Sequence, residues 1–354
     1  MRKVLADIPP ETILHRTASM VLASPGCTVS VELRDPDLIV ERAALTRWLL
    51  SKAQAAGAHI FLSCGFDGFV ESSPGVQIRF QSSRGQKIAL ASDAIIGADG
   101  VSSDVAHEAG IPLPRCVPIV QAEVDLPCGW DPGVTQVWFN AEDTRFFYWL
   151  IPESAEKGVA GLVGDDGTQT NRRLRAFLNR HNLKAEAYQG AKVALHHPRL
   201  KPWGKIGSIP LLMVGDAAGQ VKVTTVGGTV TGLQGAEAAV RSILNGTSYK
   251  AELRSVKGEL NLHWFIRVLL DRLDSRGYDL LIGAVSPRLG EFLGRHNRDS
   301  MAPVFWRLPF VEPRLLQVAL QGLASFASSR FHCLFRELEY LGRSASKMVK
   351  TIRD

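Results

Sequence analysis

Apolar positions recur along this chain in two rhythms, and the rhythm changes with place. Over 41–56, ERAALTRWLLSKAQAA, the residues Leu45, Trp48, Leu49 and Ala53 share one face at helical spacing, and Gly57 supplies a stop. A helix is predicted there. Short strand patterns follow: AHIFLS, then VQIRFQS and KIALA, the last two joined as a hairpin through SRGQ. DAIIGADG reads as a short buried strand running into a glycine turn. Between 117 and 165 four more strand patterns succeed one another without a helical one: VPIVQAEVDL, VTQVWFN, RFFYWLI and VAGLVG. That succession predicts an antiparallel sheet set inside an otherwise α/β pattern. A polar helix is expected over 171–182, and IPLLMVGD reads as a buried strand. From about Leu253 onward the pattern is mostly helical, broken at Pro287, Pro303, Pro309 and Pro313.

Composition narrows this picture only a little. With 354 residues, 45% of them hydrophobic and 21% charged, the chain is long enough to bury a large core and too apolar to be disordered. Its longest apolar runs are too short to cross a bilayer. The opening MRKVLADIPPET has no apolar core or small-residue cleavage site, so no signal peptide is expected. Cys27, Cys64, Cys116, Cys128 and Cys333 lie far apart, which argues against a disulfide framework or a zinc site and for a reducing, cytoplasmic setting. His196-His197 has no companion at metal-ligand spacing, so no metal is expected. The net charge of +6 is dispersed; it suits an anionic ligand or an anionic membrane surface and excludes a nucleic-acid patch.

The chemistry is concentrated in two places. In IIGADGVSS, Asp99 stands at the carboxyl end of a buried strand, with Gly97 and Gly100 allowing close backbone approach. In LLMVGDAAG, Asp216 follows a second such strand, and Ala217, Ala218 and Gly219 leave room beside it. Ligands of open α/β sheets bind at such strand ends. A carboxylate there can accept hydrogen bonds from sugar-type hydroxyls, although an aspartate after a strand is often an ordinary turn or cap. Then VGGTVTGLQGAEAAV opens a helix whose first amides favour negative charge. The pair, on either side of a β-rich stretch, points to a nucleotide-type cofactor, yet the chain contains no G-x-G-x-x-G.

On these residues the chain resembles the geranylgeranyl reductase family of FAD-dependent oxidoreductases, which have the para-hydroxybenzoate-hydroxylase-like fold. DAIIGADGVSS is similar to one internal motif. LLMVGDAAGQVKVTTVGG is similar to the other, agreeing at Gly215, Asp216, Ala217, Ala218, Gly219, Gln220, Val221, Lys222, Thr224, Thr225, Gly227 and Gly228. FFYWLIP resembles the substrate-pocket motif, with Phe147, Trp149, Ile151 and Pro152 in register, and Arg42 in IVERAALTRWLLSKAQAAGAHI matches the family arginine. The helical stretch DRLDSRGYDLLIGAVSPRLGEFL is also similar in pattern. Three positions depart from the family: Ala106 replaces a basic residue, Val223 a proline and Val226 a glycine. Valine adopts a positive φ reluctantly, so the loop at Val226 is expected to be altered or strained.

The resemblance implies an α/β (α+β) fold: a Rossmann-like FAD-binding domain, truncated at its N-terminal phosphate-binding unit, with an antiparallel-sheet substrate domain and a C-terminal helical region. The expected divisions are 1–115 (partial FAD-binding domain), 116–205 (substrate domain), 206–250 (GD motif and helix) and 251–354 (helical region). It implies FAD as cofactor, reduced by NAD(P)H or another donor, held by Arg42, Asp99, Gly100, Gly215, Asp216, Ala217, Gly219, Gly227 and Gly228. The substrate implied is an isoprenoid or lipid, or a chlorophyll or quinone precursor, whose C=C bonds are reduced against Phe147, Trp149, Ile151 and Pro152. No catalytic residue is assigned. A lipid-tailed substrate leaves peripheral membrane attachment open, as does the basic stretch RSASKMVKTIRD. Two alternatives stand beside this reading: a flavin monooxygenase on the same scaffold, and a non-catalytic scaffold that binds an apolar ligand.

Overall fold

A computed structural model describes residues 8–72, 75–296 and 301–318. The chain opens with a long hairpin, β1 (Ile13–Ser24) and β2 (Cys27–Val40), followed by α1 (Arg42–Ala55). Glu41 caps α1 by accepting from the Ala43 amide at 2.8 Å and from the Ala44 amide, which sets the direction in which Arg42 leaves the helix start. Three antiparallel strands come next: β3 (Cys64–Ser72), β4 (Gly75–Ser82) and β5 (Lys87–Ala91). Then follow the short β6 (Ile95–Gly97), α2 (Asp104–Glu108), β7 (Arg115–Asp125), β8 (Val134–Trp138), β9 (Tyr148–Pro152), β10 (Lys157–Val163), α3 (Gly167–Arg180) and β11 (Lys184–Leu195). The pair β12 (Trp203–Ile206) and β13 (Ile209–Met213) leads to α4 (Thr229–Asn245). Six helices close the described chain: α5 (Tyr249–Glu252), α6 (Arg254–Leu270), α7 (Ser275–Gly283), α8 (Pro287–Arg295), α9 (Ala302–Phe305) and α10 (Leu308–Val311).

The largest layer is a seven-stranded sheet in the order β11-β7-β10-β9-β8-β1-β2. All its pairs are antiparallel except β1 with β8, which run parallel. Residues 13–40, expected to belong with the cofactor-binding portion, are thus hydrogen-bonded into this sheet. No strand was read there from sequence, and Arg34-Asp35-Pro36-Asp37 interrupts any apolar alternation. β2 is the outer strand, where a proline without an N–H breaks no ladder. β11 also went unread; its largely exposed, polar stretch shows little alternation.

One expected strand is in the wrong place. AHIFLS is not a strand: Phe61 and Leu62 are exposed, and pairing begins at Cys64. Within β3 a bulge between Phe66 and Gly68 lets Phe66 and Phe69, three residues apart, both pack inward on the same cluster as Ile95 and Met213. A regular strand would have sent them to opposite faces. The mostly helical pattern beyond Leu253 is seen through residue 318; the basic end and Cys333 lie outside the described residues.

Two-residue alternation in β9 divides the core. Tyr148 and Leu150 point to one face and pack with Leu174, Phe177 and Leu178 of α3. Phe147, just before the strand, and Trp149 point to the other, with Val117, Phe146 and Val163. Gly161 of β10 lies opposite Trp149, and a Cβ built on it would come within 2.0 Å of the indole. Gly161→Ala should therefore lower unfolding stability by about 1–3 kcal/mol, since backbone and a rigid ring must both move. Urea denaturation compared with the native chain checks this; an unchanged midpoint would show that Trp149 is free to swing away.

Candidate functional site

The site is built where two parallel strands end side by side. β6 pairs with β13 through Ile95–Leu211, Ile96–Leu212 and Gly97–Met213, and the Val214 amide donates to Gly97 O at 2.9 Å. Gly97 is needed for this approach, because a Cβ there would fall 2.5 Å from Met213 Cε. The adjacency carries both predicted aspartates to one end of the small sheet, and there they part in role. Asp99 accepts from Ser103 Oγ at 2.5 Å and from the Val105 amide at 3.0 Å, so its carboxylate shapes the turn into α2. Asp216 is partly buried, and no hydrogen bond to its carboxylate is found among the described residues. Burial pushes that carboxyl above the ordinary aspartate range, while the Arg42 guanidinium pulls it back down. Arg42 and Asp216, distant in sequence, are thus close enough in space to act on each other.

After Asp216 the backbone doubles back tightly. Gly215 and Gly219 both have φ of 63°, a left-handed conformation that glycine takes without strain. The buried Gln220 side chain pins this turn from inside: its Oε1 accepts the Gly215 amide at 2.7 Å, and its Nε2 donates to Tyr249 Oη at 3.1 Å. Tyr249 in turn donates to Met213 O at 2.8 Å, and burial raises its hydroxyl to about 12. Gly235 of α4 must be glycine to admit the Gln220 amide, which lies 2.0 Å from where its Cβ would be. On the far side His196, buried and held neutral by that burial, spans Gly219 O at 3.2 Å and the Asn261 side chain at 2.9 Å.

The start of α4 faces this turn. Its N-cap is Gly228, no side chain caps it, and Gly232 packs so near Gly215 that a Cβ would stand 3.3 Å from the Gly215 Cα. The amides of the first turn therefore have no side-chain cap, and the helix opens beside Asp216, whose Oδ1 would lie 3.3 Å from a Cβ on Gly228. Space beside Gly215 is open, since a Cβ there would meet nothing within 4 Å. An unspent carboxylate, uncapped helix amides and room for close backbone approach suit the hydroxyl-rich chain and electron-poor ring of a flavin.

Opposite the loop lies the apolar face of the large sheet. Phe147, Trp149 and Ile151 gather there with Val117, Ile119, Val137, Phe139 and Val193, and Val226 of the loop packs against the same cluster. Pro152 shares the parity of Tyr148 and Leu150 and so falls on the other side of the strand. The structure thus brings Arg42, Gly215, Asp216, Ala217, Gly219, Gly227 and Gly228 to one loop and sets Phe147, Trp149 and Ile151 across from it. Asp99 and Gly100 stand at the adjacent strand end as a cap. Sequence reading missed Tyr249, Thr231 and His196, which hold the loop. Thr231 Oγ1 donates to Gln220 O at 2.5 Å from a fully buried position. Only Gln220, a polar residue inside a run of small and apolar ones, gave any local sign.

Residues 35–254 match the family model described as FAD binding domain. Digeranylgeranylglycerophospholipid reductase 2 of Methanothermobacter thermautotrophicus is 28% identical over 54% of this chain and 50% of its own length. The chloroplastic geranylgeranyl diphosphate reductase of Oryza sativa subsp. japonica is 26% identical over 77% of this chain and 64% of its own. The chain spans about half the length of the first curated relatives it matches. Among solved structures, a geranylgeranyl bacteriochlorophyll reductase-like protein from Thermoplasma acidophilum aligns with a TM-score of 0.73 at 15% identity, covering 89% of this chain and 87% of that one.

The Arg42–Asp216 pairing makes a prediction about charge. A carboxyl raised by burial contributes stability in full below the ordinary aspartate value and loses it as pH climbs through the raised value. Arg42→Ala removes the opposing attraction, so the Asp216 titration should move further up and stability should fall more steeply above about pH 4. Carbon-13 titration of the Asp216 carboxyl measures this directly, and an identical midpoint in both proteins would refute the pairing.

Proposed function

Because the chain belongs to the FAD binding domain family, we propose that it is an FAD-dependent reductase that saturates C=C bonds of an isoprenoid chain. FAD is its cofactor. The observation that carries the finer reading is the apolar wall of Phe147, Trp149 and Ile151 standing across from the loop that follows Asp216. An isolated alkene offers no charge or hydrogen-bonding group, so a protein can promote its reduction only by holding it still and dry. Relatives whose names specify digeranylgeranylglycerophospholipid and geranylgeranyl diphosphate reduction support the same substrate class.

When bound, reduced FAD supplies the hydride. The chain's own residues divide the remaining work. Asp216 would accept hydrogen bonds from the ribityl hydroxyls, and Arg42 beside it favours its charged form. The first-turn amides of α4 favour negative charge on the ring side they face. Gly227 and Gly228 allow the backbone close to the ring. Phe147, Trp149 and Ile151 exclude water from the slot and fix the alkene's distance. No helix among the described residues is long and apolar enough to cross a membrane.

The purified protein with FAD, dithionite and a digeranylgeranyl lipid should give products heavier by two hydrogens for each bond reduced, seen by mass spectrometry. Trp149→Phe should slow turnover about tenfold while leaving the flavin absorption bands in place, because it loosens the slot and not the cofactor. Oxygenated product formed with a reduced nicotinamide and O2 would instead establish a monooxygenase. Unchanged lipid with flavin bound would overturn the substrate class, and a protein that takes up lipid but no flavin would be a binding scaffold.

A further inference from the structure

The loop between Lys222 and Gly227 contains a conformation its sequence opposes. Val226 has φ of 54°, in the left-handed region. A β-branched residue is disfavoured there, and such strain persists only where surrounding structure over-determines it. Two backbone bonds close the turn: Val226 N donates to Lys222 O at 2.7 Å, and Lys222 N donates to Gly227 O at 3.1 Å. These bonds define its ends but leave its middle unsecured.

The middle is held from outside. Thr224 Oγ1 lies 2.5 Å from His263 Nδ1 on α6. His263 Nε2 lies 3.3 Å from Glu259 Oε1 one helical turn earlier, angled away from a full hydrogen bond. With Nε2 turned toward a carboxylate, that nitrogen carries the hydrogen and Nδ1 is left to accept from the Thr224 hydroxyl. Glu259 is anchored in turn, accepting the amides of Met301 at 2.6 Å and Ala302 at 2.9 Å. Burial pushes its carboxyl up, but the neighbouring His263 side chain and these two amides outweigh burial and hold it below the ordinary glutamate range. The His263 and Glu259 side chains are only 5% and 9% exposed, so water does not compete for these contacts.

We propose that Thr224, His263 and Glu259 form a clamp that holds the Val226 turn in its left-handed conformation and so positions the loop against which flavin and substrate meet. These are positioning residues; they act through the backbone of 222–228. The role extends the flavin-site reading above and rests on it for its consequence, but the clamp itself exists without the cofactor. In geometry a glycine at 226 would need no such restraint. The clamp is what allows this chain to carry a valine there, whose side chain contributes to the apolar wall.

The test reads the loop with and without flavin. Thr224→Val keeps the shape and removes the hydroxyl; Thr224→Ser keeps the hydroxyl. Without added flavin, amide hydrogen exchange over 220–228 should accelerate roughly five- to tenfold in Thr224→Val and Glu259→Gln and return toward native in Thr224→Ser. In a Val226→Gly background, Thr224→Val should accelerate exchange much less, because the strain it restrains is gone. FAD affinity, followed by quenching of flavin fluorescence, should weaken by a similar factor in Thr224→Val only when Val226 is present. Equal effects of Thr224→Val in both backgrounds would overturn the clamp and leave an ordinary buried hydrogen bond. Native exchange in Thr224→Val would overturn it outright. Failure of the native chain to bind FAD would count against the flavin site alone, since the exchange measurements decide the clamp without it.

Discussion

The site depends on one buried amide side chain. Gln220 reaches back to the Gly215 amide and forward to Tyr249, whose hydroxyl is bonded to the last residue of β13. This closes a ring of hydrogen bonds around the turn that presents Asp216. A buried amide with one partner missing would carry the full desolvation penalty, so the ring is held as a unit. Its closure forces the small residues around it. Gly235 admits the amide, Gly219 takes the left-handed turn against Leu200 and Pro114, and Gly228 leaves Asp216 its space. Gly235 therefore serves the packing of Gln220 itself.

The second dependence is between two sheets with different work. The small sheet ends its parallel strands at the cofactor side; the large sheet turns an apolar face toward the same loop. Neither holds the other's residues, and the loop 215–228 is where they meet, with Asp216 at one end and Val226 on the aromatic wall. A polar stripe on α6 runs along this junction. His263 reaches the loop with Glu259 behind it, and one turn further Arg267 pairs with Asp271 at 2.7 Å and lies 5.2 Å from the Phe146 ring. The helix thus contacts both the cofactor-side loop and the strand that carries the apolar wall.

Local pattern sufficed for much of this. The helix at Arg42, the strand before each aspartate, the alternation of Phe147, Trp149 and Ile151 against Tyr148 and Leu150, and the strain at Val226 all follow from spacing or from residue type, because each is a property of neighbouring positions. The motif around Asp216 was legible for the same reason: a turn whose backbone packs closely shows itself as glycine and alanine.

What tertiary structure decided was everything that joins distant segments. Pro36 could sit in the strand because the β1–β2 register breaks there, Thr17 pairing with Asp37 and Ser19 with Glu32, and because that strand is an edge; both are properties of the sheet. Asp99 became a cap because Ser103 and Val105 fold back onto it, whereas the Asp216 carboxylate has no such hydrogen bond among the described residues. The nearness of Arg42 to Asp216, the Tyr249 bond that closes the ring and the chain from Glu259 through His263 to Thr224 leave no periodic trace. They are single contacts across long stretches of chain, and only packing selects them.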